Sequence, residues 1–238
     1  MVEGSTDPKW FNAMKLTVSK GDYLKAIAEA EPEAGAAIAA TIARWLDVTP
    51  PAVALALRRL RRDKLVRVNR KGQIALTAAG RKISDKLRIR HHLVERLLYE
   101  ILGMAWYKVH EEAERLEHSV SDDLERLLIE KLGGDGPCPH GNQINKSATE
   151  RRKLGQQQLW EAPPGSWVRV DSMHERDRKL LEYFEGLGIR PGVQLEVLSR
   201  NCDGTISLRL NDKPTNLGEA AARQIWVSRT TRRPVRAA

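Results

Sequence analysis

At Leu65 the chain changes period. Upstream, apolar residues recur at helical spacing; from Leu65 they alternate, first in Leu65-Val66-Arg67-Val68 and again in Gln73-Ile74-Ala75-Leu76. Asn69-Arg70-Lys71-Gly72 joins the two runs as a tight-turn sequence, so a β-hairpin is expected. Before it, a helix is expected from Thr17, with Tyr23, Leu24, Ile27 and Ala28 in register, until Pro32 and Gly35 mark a turn. Ala36 to Leu46 reads as a short Ala-rich helix with Ile38, Ile42 and Leu46 on one side. Asp47-Val48-Thr49-Pro50-Pro51 breaks it. A further helix is expected from about Pro51 to Asp63, since proline is tolerated in a first turn, and its apolar face is Val53, Leu57 and Leu60. Helix–turn–helix followed at once by a hairpin is the layout of a winged helix, against the blander reading of any small α+β domain.

Charge separates these readings. Between Pro51 and Glu100 fourteen Lys/Arg face four Asp/Glu, whereas between Ile101 and Glu150 five basic residues face ten acidic ones. Arg58, Arg59, Arg61, Arg62, Lys64, Arg67, Arg70 and Lys71 line the second helix and the hairpin. Such residues suit phosphate contacts, which supply affinity without reading sequence. The basic block therefore points to double-stranded DNA, and the acidic block to a region able to hold a cation.

The remainder divides the chain further. Ala78–Leu102 reads as a long helix and Ala105–Leu132 as another, stopped by Gly133-Gly134 and a tight Asp135-to-Gly141 loop. Residues 141–163 are polar, include Glu150-Arg151-Arg152-Lys153, and read as a linker ahead of Pro163-Pro164-Gly165. Strands are expected at Trp167–Val170, Gln194–Leu198 and Ile206–Leu210, with a helix at about Arg178–Leu187, the content of a small SH3-like β-barrel. At 238 residues and 41% apolar content, two to three small domains can each bury a core. No run approaches the roughly 18 to 20 apolar residues of a membrane helix, and the N-terminus has no apolar signal region. Two cysteines make no disulfide framework, so a soluble, cytoplasmic chain without a membrane partner is expected.

The metal-binding chemistry is concentrated in the two middle helices. His110, Glu114, Glu117 and His118 fall at i, i+4, i+7 and i+8 on one face, and His91 and Glu95 at i and i+4 on the preceding helix. Antiparallel packing would gather three imidazoles and three carboxylates, donors suited to Mn(II), Fe(II) or Zn(II), with the carboxylate excess favouring the harder ions. A solvated polar stripe is the competing reading. A metallo-hydrolase or metal buffer is the alternative of another class, but there is no HExxH, nucleophile elbow or Gly-rich phosphate loop, and the basic helix and hairpin would be surplus to either.

These residues carry a family resemblance. Asp22-Tyr23-Leu24-Lys25-Ala26-Ile27, Ile74–Gly80, His91–Leu98, Lys108–His118 and Cys138-Pro139-His140-Gly141-Asn142 resemble the diphtheria-toxin-repressor and manganese-transport-regulator family of iron- or manganese-dependent repressors, over about residues 16 to 228. The resemblance implies a mainly α chain with small β elements. A flexible arm (1–14) precedes a winged helix-turn-helix domain (15–86) and a dimerisation and metal-binding domain (87–142). A linker (143–165), a C-terminal SH3-like, FeoA-like barrel (166–230) and a basic tail (231–238) complete it. It implies a homodimer on palindromic operator DNA, with no enzymatic activity and no small organic cofactor.

By resemblance the primary metal site takes Asp22, Glu114, Glu117 and His118. In iron-responsive members Met and Cys usually stand where this chain has Asp22 and Glu114; two carboxylates favour Mn(II), with Fe(II) the alternative. Lys25 stands near where some manganese regulators place a second-site Glu. A second divalent site is therefore expected from a pool of His91, Glu95, His110, Cys138 and His140, with Asp177 or Glu175 reaching in. For DNA the resemblance points to Thr49, Pro51, Ala52, Ala54, Leu55, Arg58, Arg59, Arg62, Arg70 and Lys71. Ala54 and Leu55 stand where members often have polar residues. They can touch a thymine methyl but cannot read a donor–acceptor pattern, so shape readout is expected to matter.

Overall fold

The structure, a computed structural model, describes residues 18–34, 37–134, 136–144 and 146–230. The expected arm (1–14) and basic tail (231–238) lie outside the described residues, as do Thr17 and the turn residue Gly35. The chain divides into two units, Met1–Arg88 and Ile89–Ala238.

In the first unit α1 (Val18–Ala34) buries Tyr23, Leu24, Ala26, Ile27 and Ala30 in a core shared with Ile42, Val53, Leu60, Leu65 and Ile74. The expected helix from Ala36 begins later. Ala37–Ile38 form β1, pairing with β3 through Ala37↔Ile74 and Ile38↔Gln73, and α2 spans Ala39–Trp45. Local helix propensity there yields to a strand pairing that satisfies the backbone on a sheet edge. α3 (Pro50–Arg62) starts where the sequence says it should: the Thr49 side chain accepts from the Ala52 N–H at 3.4 Å, and prolines occupy the first turn.

The hairpin follows as β2 (Val66–Val68) and β3 (Gln73–Leu76), antiparallel with Val66↔Leu76 and Val68↔Ile74. Its turn is built by Asn69, whose side-chain oxygen accepts from Lys71 N at 2.9 Å and Gln73 N at 3.0 Å, with Gly72 at φ +74°. Thr77 then opens α4 (Ala78–Arg96): its hydroxyl accepts from Gly80 N at 3.1 Å and donates to Lys64 O at 2.8 Å, tying the helix start to the wing.

In the second unit the end of α4 passes into a π-helical turn, Leu97–Ile101. The single helix expected from Ala105 to Leu132 is broken. α5 (Val109–Leu116) tightens into a 3₁₀ turn at Glu117–Ser119, and α6 (Asp122–Leu132) starts afresh. Ser121 is the reason: its hydroxyl accepts from Leu124 N at 3.1 Å, and Asp122, Asp123 and Glu125 favour a helix N-terminus at that point. Arg90 on α4 binds Asp122 and, at 2.7 Å, Glu125 of that first turn. Arg96 donates to the carbonyls of Leu132 and Gly133 at its other end, so both ends of α6 are held by α4.

The barrel is a six-stranded antiparallel sheet in the order β4-β9-β5-β6-β7-β8. Its strands are β4 (Gln157–Gln158), β5 (Trp167–Met173), β6 (Gln194–Arg200), β7 (Thr205–Leu210), β8 (Lys213–Gly218) and β9 (Ile225–Arg229). The segment expected as a linker, 143–165, carries α7 (Ala148–Lys153) and β4, which pairs with β9. Its polarity misled because α7 is exposed and capped by a reciprocal Ser147–Glu150 box, leaving no apolar stripe to read. Between β5 and β6 runs α8 (Arg178–Leu187), and α9 (Glu219–Ala222) precedes β9. Trp106, ahead of α5, is buried in the barrel core with Phe184, Leu181 and Met173, and its indole N–H donates to Glu185 at 2.5 Å. No helix among the described residues is long and apolar enough to cross a membrane.

Candidate metal centre

Four separate elements of the second unit bring six metal-competent side chains together. His91 and Glu95 lie one turn apart on α4, His110 opens α5, Cys138 and His140 sit on the loop after α6, and Glu175 follows β5. They form two overlapping groups, His91–Glu95–His110–Glu175 and Glu95–Cys138–His140–Glu175, the ligand atoms of each lying within 4.8 Å of one another. Both groups share the two carboxylates.

The loop is fixed by backbone contacts. Cys138 N donates to Asn142 O at 2.9 Å, Gly141 N to Cys138 O at 2.8 Å, and Met173 N to His140 O at 3.0 Å. Gly141 has φ +81°, and a Cβ there would overlap the carbonyl of Asp171, so the loop can lie against β5 only with glycine at that position. Asn142 donates to Met173 O at 2.9 Å and to Glu175 Oε2 at 2.6 Å, holding the acidic residue in place. That Asn142 positions Glu175 was not anticipated from the sequence, where it stands only as the last residue of the Cys-Pro-His-Gly-Asn run.

Tautomers follow from the outer partners. His140 Nε2 donates to the Trp106 carbonyl at 2.9 Å, which can only accept, so Nδ1 offers its lone pair inward. His91 Nδ1 donates to Glu117 Oε2 at 2.6 Å, so Nε2 faces inward likewise. Glu95 Oε1 lies 3.1 Å from His91 Nε2, 3.1 Å from His110 Nδ1 and 3.5 Å from His140 Nδ1, while the two nitrogens of His91 and His110 are 3.0 Å apart. Glu95 Oε2 is buried with no hydrogen-bond partner. Lone pairs that converge in this way need cations between them, whether protons or a metal.

The charges are consistent with this. Burial raises the carboxyl pKa of Glu95 and of Glu175, but the surrounding imidazoles outweigh it and hold both below the usual range. His140 is pulled down by burial yet ends above its ordinary value because Glu95 and Glu175 face it. Burial, with the same carboxylates, pushes the Cys138 thiol well up, so the ion-free protein keeps it protonated at neutral pH. Native protein treated with an alkylating reagent is therefore expected to react at the exposed Cys202 and not at the buried Cys138. Peptide mass spectrometry checks this, and labelling of Cys138 within about tenfold of the Cys202 rate would contradict the closed site.

The other expected residues are placed as follows. Glu117 is buried on the 3₁₀ turn, its Oε1 3.6 Å from His118 Nε2, so these two form a pair next to the cluster, joined to it through His91. The exposed carboxylate of Glu114 lies 3.6 Å from His110 Nε2 and 4.0 Å from Arg176. Asp177, named beside Glu175, serves instead as the N-cap of α8, accepting from Leu180 N at 3.0 Å. Asp22 is half-buried on α1 in the first unit. Among the expected DNA residues, Thr49, Pro51, Ala54, Leu55, Arg58, Arg59, Arg62, Arg70 and Lys71 are exposed on α3 and the wing, and Ala52 is half-buried.

Three stretches match known domain families: residues 15–74 an iron dependent repressor N-terminal DNA binding domain, residues 77–146 an iron dependent repressor metal binding and dimerisation domain, and residues 157–229 a FeoA domain. The diphtheria toxin repressor of Corynebacterium diphtheriae is 33% identical over 220 residues, covering 86% of this chain and 94% of its own length. The iron-dependent repressor IdeR of Mycobacterium leprae is 38% identical over 190 residues, 74% of this chain and 81% of its own. Among solved structures, a manganese-dependent transcriptional repressor in complex with manganese superposes with a TM-score of 0.79 at 32% identity, covering 89% of this chain and all of the other.

Proposed function

Because this chain belongs to the iron-dependent repressor family, whose members are metal-dependent transcriptional repressors and not enzymes, we propose that its co-repressor is Mn(II) and that loaded dimers bind palindromic operator DNA of metal-homeostasis genes. The observation that carries the choice of metal is chemical. Asp22 and Glu114 are carboxylates at the positions that resemble the regulatory site, and with Glu117 and His118 they make an oxygen-rich donor set without sulfur, which suits a hard divalent ion. Iron(II) is the second reading, favoured by the iron-dependent repressors among the relatives.

Asp22 on the DNA-binding unit and Glu117 and His118 on the second unit would hold the ion together, joined by Glu114 once its exposed carboxylate turns from His110. The ion supplies a positive centre that removes the repulsion among these carboxylates. Holding Asp22 to that set orients α3 and the wing for successive major grooves, about 34–36 Å apart for adjacent half-sites. Arg58, Arg59, Arg62, Arg70 and Lys71 then bind phosphates, and Thr49, Pro51, Ala54 and Leu55 reach base edges. Tyr99, Ile101 and Leu102 of the π turn and Leu124 and Leu127 of α6 are exposed apolar residues, the surface a twofold partner would cover. A second divalent position draws on His91, Glu95, His110, Cys138, His140 and Glu175. Acting on the chromosome, the protein is assigned to the cytoplasm.

Anaerobic titration of operator binding with Mn(II), Fe(II) and Zn(II), on fragments selected from genomic DNA, tests this reading. Tight binding with Mn(II) alone is expected, falling steeply as salt rises. An equal or stronger Fe(II) response overturns the metal, and metal-independent binding overturns the switch.

A further inference from the structure

A cavity of about 340 Å³ opens between the polar segment that leads into the barrel and strand β5. Its lining includes Lys146, Arg151 and Gln156 on one side and Arg169 and Asp171 on the other, none of which belongs to a metal-binding group. We propose that this cavity binds a small hydroxycarboxylate, an anion that carries a hydroxyl donor beside its acid groups.

The polar lining is held in place before any ligand arrives. Asp171 sits at a bulge in β5, where the register with β9 shifts between Val170 and Ser172, a device that re-aims a side chain. Its Oδ1 accepts from Arg169 Nη2 at 3.1 Å and from Ser228 Oγ at 3.0 Å, and its Oδ2 accepts from Gln156 Nε2 at 2.9 Å. The one carboxylate of the lining is thus engaged in orienting the Arg169 guanidinium and the Gln156 amide. Arg151 donates to Ser172 Oγ and, at 2.9 Å, to Asn142 Oδ1. Its guanidinium lies 5.4 Å from the centre of the Trp226 ring, which fixes it against the barrel.

Two groups that the protein leaves unsatisfied define the ligand. Lys146 is half-buried, and its ammonium has no hydrogen-bond or ion-pair partner among the described residues. Gln156 Oε1 is buried and accepts no hydrogen bond, although the amide's other end is fixed by Asp171. The first calls for negative charge and the second for a donor, so one ligand that serves both is an acid with a hydroxyl group. Arg169 stands ready for the same negative charge, since a guanidinium has five N–H donors and Asp171 takes two of them. The volume lies at the small end of ligand pockets, which suits an acid of a few carbons.

Calorimetric titration of the full chain, freed of metal so that chelation adds no heat, tests this with L-malate as the probe. Saturable binding of one malate per chain is expected. Succinate, which lacks only the hydroxyl, should bind about fivefold more weakly, and Gln156→Met should erase that preference. Lys146→Gln and Arg169→Gln should each weaken malate binding about tenfold or more, as loss of a charged hydrogen bond does. Thermal melts of the unliganded variants report whether they fold; should Arg169→Gln fail to, Lys146→Gln decides alone, because its side chain supports no other. Absence of saturable malate binding, equal affinity for malate and succinate, inorganic phosphate binding as tightly as malate, or full affinity in Lys146→Gln would each overturn the proposal.

Discussion

Glu117→Ala is expected to lose Mn(II)-dependent operator binding while the chain stays dimeric. Glu117 is buried, and one of its oxygens accepts from His91 Nδ1 at 2.6 Å while the other lies 3.6 Å from His118. The substitution removes a donor from the proposed regulatory set. It also frees the His91 ring whose Nε2 faces Glu95 and His110, so the neighbouring cluster loosens with it. We expect a fall of about 100-fold in metal-dependent operator affinity, the upper range for coupling between two sites. The proposed dimer surface lies elsewhere, on the exposed apolar side chains of α6 and the π turn, so dimerisation should persist. Fluorescence anisotropy with and without Mn(II), beside sedimentation of the same samples, measures both. A variant with the full wild-type response would remove Glu117 from the metal assignment.

Gly80→Ala should do the reverse, disabling the reader and sparing the metal centre. Gly80 is buried in the first turn of α4, and a Cβ there would overlap the carbonyl of Leu65, which already accepts from Thr77 N at 2.9 Å. Backbone cannot yield as the end of a flexible side chain can, so the helix start must lift from the wing. A cost of about 3 kcal/mol is expected from overpacking of this kind. Operator binding falls at every metal concentration, while the second unit still takes up its ions. A thermal melt with metal analysis of the same preparation checks this. If the variant melts with the wild type and binds operator equally well, the close approach of α4 to Leu65 is wrong.

Much of this was readable before the structure, for local reasons. The wing was legible because alternation and an Asn–Gly-bounded turn both act within a few residues. The matches to known repressor domains bear out the family, the winged helix and the barrel. What failed did so through competition at longer range. β1 formed where an Ala-rich stretch suggested helix, because β3 offered it partners further downstream, Ala37↔Ile74 and Ile38↔Gln73. β8 escaped notice since Lys213–Gly218 has little β propensity and is held by register with β7. At the metal centre, the choice between Glu175 and Asp177 depended on which carboxylate was already needed to cap α8. No spacing rule carries that information.

The shared carboxylates have a mechanical consequence. Glu95 belongs to a helix of the dimerisation region and Glu175 to the edge of the barrel, 80 positions further along the chain. An ion held by both would close that stretch into a ring, as a disulfide would, and would restrict the unfolded chain by about 4–5 kcal/mol. Unlike a disulfide, the clasp opens when the ion is withdrawn. Chelation should therefore loosen the barrel from the helices first, exposing the surface around Trp106 to proteases. In a starved cell the repressor would then become easier to degrade as well as unable to repress, and its lifetime would follow the same supply that sets its activity.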